Sequence, residues 1–420
     1  MPMREEAVSP TTTSGIDRKL LAVLRRLLGP VPIALVLRDI ENVPETDSPV
    51  IGTLRIPDRA TLLSMAWDPE LAFGDAYSSG RIDIEGDLVT SLEFAYRSSA
   101  GSPNWYRRLR SKWLDWKHAN TPHGSRKNIH RHYDLSNDFY RLWLDERMLY
   151  TCAYFPSPDS SLEAAQETKL EMICRKLRLQ PGETVVEVGC GWGALAIYMA
   201  QHYGVRVKAY NISHEQIEYA RKWAEREGVT SSVEFIEDDY RNVSGNFDVF
   251  CSVGMLEHVG RDHYGELARV IRSTIGETGR GFLHFIGRNR PRPLNAWIRK
   301  RIFPGGYVPT LRESIDVLEP DNYSVLDVEN LRMHYAKTLE HWLARFESAF
   351  ETVVRMRGIG FARMWRLYLA GSVAAFRTGN LQLFQVLFAG NRSAFVPWTR
   401  EDLYAPFREE SDTELWTRAM

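Results

Sequence analysis

The chain has 420 residues, with 53 Lys and Arg against 54 Asp and Glu, a formal net charge of -1, and 44% hydrophobic and 25% charged residues. This is the composition of an ordinary folded protein, and it excludes both an acidic disordered chain and one that coats nucleic acid by bulk charge. Four cysteines make no disulfide framework and point to a reducing cytosol, and no apolar run approaches the roughly 20 residues of a membrane span.

In chain order, residues 1–17 are rich in Ser, Thr and Pro and read as a disordered tail. Leu20 to Leu28 has the spacing of a short amphipathic helix stopped by Gly29-Pro30. Short apolar stretches then alternate with Pro and Gly as far as Arg97, and Leu71 to Asp87 reads as helix, turn and alternating strand. Residues 18–119 are therefore expected to form a small N-terminal α+β domain. Near its end, Tyr106 to His118 is a basic, aromatic helical stretch, and Asn120 to Lys127 is the best linker candidate.

Beyond the linker the pattern changes. Strands are expected at Thr184–Val188, Val205–Ala209, Val233–Ile236, Phe247–Val253 and Gly281–Ile286. Helices fall between them, at Ala194–Gln201 and after a capping box of Ser213 and Gln216. Such alternation means a mostly parallel sheet covered on both faces. The segment Arg332–Gly390 is helical by periodicity and rich in aromatics.

The sharpest local signal is Glu187-Val188-Gly189-Cys190-Gly191-Trp192-Gly193 after a buried strand. Glycines at alternating positions let the backbone turn tightly and approach a ligand. The spacing is G-x-G-x-G rather than the G-x-G-x-x-G of dinucleotide sites, which suits S-adenosylmethionine better than NAD. A plain glycine-rich turn is the alternative. After the second strand, Asn211 and Gln216 could grip ribose hydroxyls as neutral amides, or Gln216 could serve only the capping box. Asp239 and Tyr240 lie where an adenine edge would sit in such a fold.

Five stretches in this order carry a family resemblance: His132-Tyr133-Asp134-Leu135-Ser136-Asn137-Asp138, Tyr150-Thr151-Cys152-Ala153-Tyr154-Phe155, the glycine motif, Gly254-Met255-Leu256-Glu257-His258-Val259-Gly260 and Leu283-His284-Phe285-Ile286-Gly287. Together they resemble the cyclopropane-fatty-acyl-phospholipid synthases and mycolic acid cyclopropane synthases, which are S-adenosylmethionine-dependent methyltransferases. The resemblance implies an α/β fold: a Rossmann-like class I methyltransferase sheet with helical lid insertions over residues 120–420, behind the small N-terminal domain. It implies cofactor contacts at Tyr150, Gly189, Gly191, Gly193, Asn211, Gln216, Asp239 and Tyr240. It places a bicarbonate site at Cys152, Glu257, His284, the backbone of Ile286, and Tyr335. Asn211 stands where relatives often have Thr.

The implied reaction explains these residue types. An isolated double bond is a weak nucleophile and needs a sulfonium methyl; the transfer leaves a carbocation, which aromatic faces stabilise. A proton must then leave for a ring to close, and bicarbonate is a small base that can be replaced if alkylated. Taken singly, Cys152 reads as a buried apolar residue, His284 as a core histidine, Glu257 as a loop acid and Tyr335 as one aromatic among many; only the shared motif order marks them. His130 and His132 have no third ligand at zinc-like spacing, so no metal is expected.

Two basic stretches suit an anionic bilayer surface: Arg107, Arg108, Arg110, Lys112 and Lys117 among Trp and Tyr, and Arg288, Arg290, Arg292, Arg299, Lys300 and Arg301 around Trp297. The expectation is a cytoplasmic enzyme peripherally associated with the inner face of the membrane, taking unsaturated phospholipid and no nucleic acid, with the N-terminal domain suited to lipid contact or a homodimer. Rival readings are a fatty-acyl methyltransferase leaving a methyl or methylene branch, and a catalytically idle lipid-binding protein.

Overall fold

The structure, a computed structural model, describes residues 15–44, 49–99 and 135–404. The first basic stretch, the linker and His130 and His132 lie outside the described residues. Helix α1 (Gly15–Leu28) starts earlier than its apolar spacing suggests. Its first turn is held by a charge pair, buried Asp17 with Arg59, and such an anchor leaves no mark on hydrophobic periodicity. Then follow β1 (Ile33–Leu37), β2 (Ile40–Asn42), β3 (Gly52–Ile56), α2 (Arg59–Trp67), α3 (Pro69–Ser78), β4 (Asp83–Gly86) and α4 (Leu88–Ser99). The strands form a sheet in the order β2-β1-β3-β4, with β1 and β3 parallel.

The larger unit opens with α5 (Asn137–Arg141) and α6 (Leu162–Leu177), and continues through β5 (Thr184–Val188), α7 (Ala194–Tyr203), β6 (Arg206–Asn211), α8 (His214–Arg226), β7 (Val233–Glu237), β8 (Val249–Val253), α9 (Leu256–Val259), α10 (Tyr264–Ile275) and β9 (Arg280–Gly287). After α11 (Ala296–Arg301) and α12 (Leu311–Ile315) come β10 (Tyr323–Asn330), the helices α13 (Arg332–Ser348), α14 (Phe350–Arg357) and α15 (Ile359–Arg377), and β11 (Gln382–Gly390). The seven strands run β10-β11-β9-β8-β5-β6-β7. Strands β5 to β9 are mutually parallel where they pair, and β11 lies antiparallel between β9 and β10. Strand order reverses between β5 and β8, and a crevice at their carboxyl ends is where such sheets bind ligands.

The structure corrects the expectation of helix throughout 332–390. Residues 382–390 form β11, and every one of them is buried. A short continuous apolar run with neighbours on both faces looks the same in a strand and in a buried helix, so periodicity misassigns it.

The second basic stretch packs in large part against the N-terminal unit. Trp297 is buried over Gly74 of α3, where a Cβ would come within 2.3 Å of the indole. The Ala296 amide donates to Glu70 at 2.8 Å, Arg301 pairs with Asp75 at 2.7 Å, and Arg288 and Arg299 are buried. Arg363 of α15 donates to the Tyr77 carbonyl at 2.7 Å. Most of this stretch therefore joins the two units, and Arg290, Arg292, Lys300 and Arg301 are what it leaves at the surface. Among the described residues no helix is long and apolar enough to cross a membrane.

Candidate active site

A cleft of about 1100 Å³ lies at the carboxyl ends of β5, β6 and β8. Of the eight expected cofactor residues, Tyr150, Gly189, Gly191, Asn211, Gln216, Asp239 and Tyr240 line it. The three glycines divide the work. Gly191, at φ 57°, has open space where a Cβ would stand, so ligand can approach its backbone. Gly193, at φ 90°, is instead a packing glycine: a Cβ there would meet Phe235 at 2.6 Å and Ala220 at 2.9 Å. It lets the start of α7 close on the sheet.

Asn211 donates to Gln216 at 2.7 Å, and its own oxygen accepts from the Ile212 amide at 2.8 Å. The capping box expected of Ser213 and Gln216 does not form; Ser213 is the N-cap residue but its hydroxyl makes no cap bond. Asn211 has taken the glutamine oxygen, so two neutral amides face the cleft together. Asp239 accepts from the Arg241 amide at 3.0 Å and pairs with its guanidinium at 3.1 Å, and Tyr240 beside it is buried.

Glu187, at the end of β5, is 2% exposed. The Ala196 amide of α7 bonds its carboxylate, and its Oε2 has no partner among the described residues. Burial pushes its pKa up to about 8 against the pull of Lys169. Lys169 on α6 is 1% exposed, lines the cleft and donates to the Thr151 hydroxyl at 3.0 Å. Gln166, one helical turn before it, donates to the Thr151 carbonyl at 2.9 Å. Motif reading missed both residues, since nothing distinguishes a buried Lys on an amphipathic helix from an exposed one.

These features fit S-adenosylmethionine: a buried acid with one oxygen left for the amino group, an open glycine backbone, and two amides for the ribose. Lys169→Met should raise Glu187 further and weaken S-adenosylhomocysteine binding about ten-fold at pH 7, the equivalent of one pKa unit. Calorimetry should find the gap narrowing as pH rises and Glu187 ionises without help. A gap that does not change with pH would contradict this.

A second group of residues lies beside the cleft. Glu257 on α9 is buried and accepts the Ile286 amide of β9 on Oε1 at 2.5 Å, leaving Oε2 without a partner among the described residues. Burial pushes its pKa up to about 7. His284, two residues back along β9, is 2% exposed; Nδ1 lies 3.1 Å from the Gln385 amide nitrogen, and Nε2 has no partner among the described residues. Burial holds its pKa well below the usual imidazole range, so it is neutral.

Cys152 is fully buried, its Sγ 3.1 Å from the Ala153 carbonyl and 4.0 Å from that of Leu331. Burial raises its thiol pKa, so it stays protonated. The Tyr335 amide bonds the same Leu331 carbonyl at 3.0 Å, placing Tyr335 one turn away on α13. Segment 150–155 is pinned to that helix by Ala153 N to Thr338 at 3.0 Å and Phe155 N to His334 at 2.9 Å. The structure thus brings Glu257 against Ile286 and Cys152 beside the helix of Tyr335. Cys152, Ile286 and Tyr335 share one apolar cluster, and Lys169 lies within electrostatic reach of both Cys152 and His284. Among the described residues, one carboxylate oxygen of Glu257 and one imidazole nitrogen of His284 are thus buried without a partner.

An aromatic enclosure adjoins both groups. Tyr140, Trp143 and Trp342 pack on Tyr150, with Tyr150–Trp143 centroids 5.1 Å and Tyr150–Trp342 centroids 5.3 Å apart, and Trp192 and Trp365 pack in turn on Tyr140. The Tyr150 hydroxyl meets that of Tyr368 at 2.8 Å.

Comparison with known proteins agrees with this architecture. Residues 120–386 match the family described as mycolic acid cyclopropane synthetase. A probable fatty acid methyltransferase of Pseudomonas putida is 36% identical over 349 residues, 79% of this chain and 86% of that one. The cyclopropane-fatty-acyl-phospholipid synthase of Escherichia coli is 40% identical over 260 residues, 61% of this chain and 66% of that one. A mycolic acid cyclopropane synthase solved with S-adenosylhomocysteine (SAH) and CTAB superposes with a TM-score of 0.60 at 29% identity, covering 63% of this chain and 97% of that one.

Proposed function

The chain belongs to the mycolic acid cyclopropane synthetase family of S-adenosylmethionine-dependent methyltransferases, and from that premise we propose that it is a cyclopropane-fatty-acyl-phospholipid synthase using bicarbonate as its base. The observation that carries the proposal is Glu257 fixed to the strand of His284, each with one buried polar atom left over, beside an aromatic enclosure. Bound S-adenosylmethionine supplies an electrophilic methyl for the double bond, and bound bicarbonate supplies a replaceable base.

The chain's own residues do the rest. Of the aromatic enclosure, Tyr150 and Trp192 line the cleft and present ring faces to a cationic acyl chain, while Trp143, Trp342 and Trp365, essentially shut off from solvent, pack behind them and exclude water. Each such face is worth roughly 0.5–2 kcal/mol. Tyr335, packed on Phe376 at 4.6 Å between centroids, extends the aromatic wall from the other side. The Ile286 amide holds Oε1 of Glu257 so that Oε2 is the oxygen free to take a proton. His284 contributes a neutral donor to the anion, and Cys152, its thiol hydrogen directed at the Ala153 carbonyl, adds no negative charge facing the cation. Unsaturated phospholipid is the substrate this site suits, reached by transient contact with a bilayer.

A second reading, a methyl or methylene branch from the same cation, is favoured by the likeness to the Pseudomonas putida protein. Incubating the purified protein with S-adenosylmethionine and vesicles of mono-unsaturated phospholipid tests both. A mass gain of one methylene that resists mild alkene hydrogenation supports the ring. A gain that takes up hydrogen supports a methylene branch, and no gain overturns both.

A further inference from the structure

Strand β11 places Gln385 directly opposite His284 on β9. The two are buried, and the Gln385 amide nitrogen lies 3.1 Å from His284 Nδ1. On its other side the Gln385 oxygen lies 2.6 Å from the ammonium of Lys176, which is 4% exposed and reaches across from α6. Lys176 is itself balanced by Glu329 of β10, 2.5 Å away. None of Gln385, Lys176 or Glu329 stands among the motif residues.

The chemistry of these groups leaves one arrangement. An ammonium has three donors and no acceptor, so the atom of Gln385 that faces Lys176 must be its oxygen. The amide nitrogen then faces His284 and can only donate, so Nδ1 must accept. A neutral imidazole carries one proton, and with Nδ1 accepting, that proton sits on Nε2. Burial keeps the ring neutral. Nε2 is the atom with no partner among the described residues. We propose that Lys176 and Gln385 are positioning residues that fix His284 in the Nε2–H tautomer, so that it presents a donor to the anion held beside Glu257.

This rests on the anion site proposed above and adds to it what sets the polarity of its histidine. The opposite tautomer would present a lone pair to an anion, which repels it. Removing the ammonium frees the Gln385 amide to turn over, and an oxygen facing Nδ1 selects that wrong tautomer. Lys176 thus acts through two intervening side chains and touches no reactant.

The test is nitrogen NMR of the full-length protein labelled at histidine, with the His284 signals assigned by their loss in His284→Asn. The wild type should show a protonated Nε2 and a bare Nδ1 without any substrate. Lys176→Met and Gln385→Leu should each lose that preference and lower kcat about ten-fold, with KM for S-adenosylmethionine little changed. The double variant should be no worse than Gln385→Leu alone, because both act through one bond. A wild-type Nδ1–H tautomer, or variants that keep the wild-type tautomer, would overturn the inference. Should the tautomer hold while turnover proves independent of bicarbonate, the anion reading fails and the positioning pair stands.

Discussion

Glu257→Gln should lower turnover about a thousand-fold while SAH binds within about two-fold of wild type. The amide keeps an oxygen for the Ile286 N–H, which Glu257 now binds at 2.5 Å, so α9 and β9 should stay joined. What disappears is the group that can take a proton, and positioned acid–base groups contribute roughly 10²–10⁴-fold. The pH profile sharpens the case. Burial puts Glu257 at about 7. Its ionised, proton-accepting fraction therefore grows as pH rises through 7, and wild-type turnover should rise with it. The residual rate of the Gln variant should lack that limb. A variant that keeps wild-type turnover, or keeps the limb, would remove Glu257 from the chemistry.

Gly193→Val should cost about 3 kcal/mol of stability or more, and should weaken cofactor binding through the fold rather than by contact. A Cβ at this position would stand 2.6 Å from Phe235 and 2.9 Å from Ala220, closer than side-chain carbons approach. Overpacking of this kind costs about 1–3 kcal/mol. The φ of 90° adds backbone strain of about 1–3 kcal/mol for a β-branched residue. Relief would require α7 to move away from β7, carrying the glycine loop with it. Urea unfolding measures the loss directly. A variant within 1 kcal/mol of wild type would show that the loop tolerates the displacement.

The contrast between these residues shows what sequence reasoning can reach. The β5 strand and its glycines are legible because a doubly buried strand, a turn needing positive φ and a helix start fall in register within ten or so residues. Cys152, Glu257, His284 and Tyr335 are legible only through the order of whole motifs, because each alone has an ordinary structural explanation. Their support was not legible. Gln385 lies in QLFQVLFAG, an apolar run whose period fits more than one element, and its partners come from β9 and α6. Lys169 and Lys176 become informative only once burial is known.

Two local patterns are decided by tertiary neighbours. Ser213 and Gln216 have the spacing of a capping box, but Asn211, five residues before Gln216, supplies a competing donor at 2.7 Å. The Trp297 stretch has the composition of a membrane-facing surface, yet Gly74 opens a seat for that indole on another unit. Local pattern states what a segment can do; tertiary neighbours choose among the options.

The account as a whole turns on a methyl group that loses one hydrogen after it reaches the acyl chain. Supplying S-adenosylmethionine with a trideuterated methyl to the wild-type protein and mono-unsaturated phospholipid vesicles reads that step directly. The predicted product retains two of the three deuterium atoms and shows cyclopropane resonances by NMR. An unsaturated methyl branch retaining all three, formed when the cation loses a proton from the acyl chain instead, would show that no base acts on the transferred methyl, and would contradict the role given to Glu257 and His284.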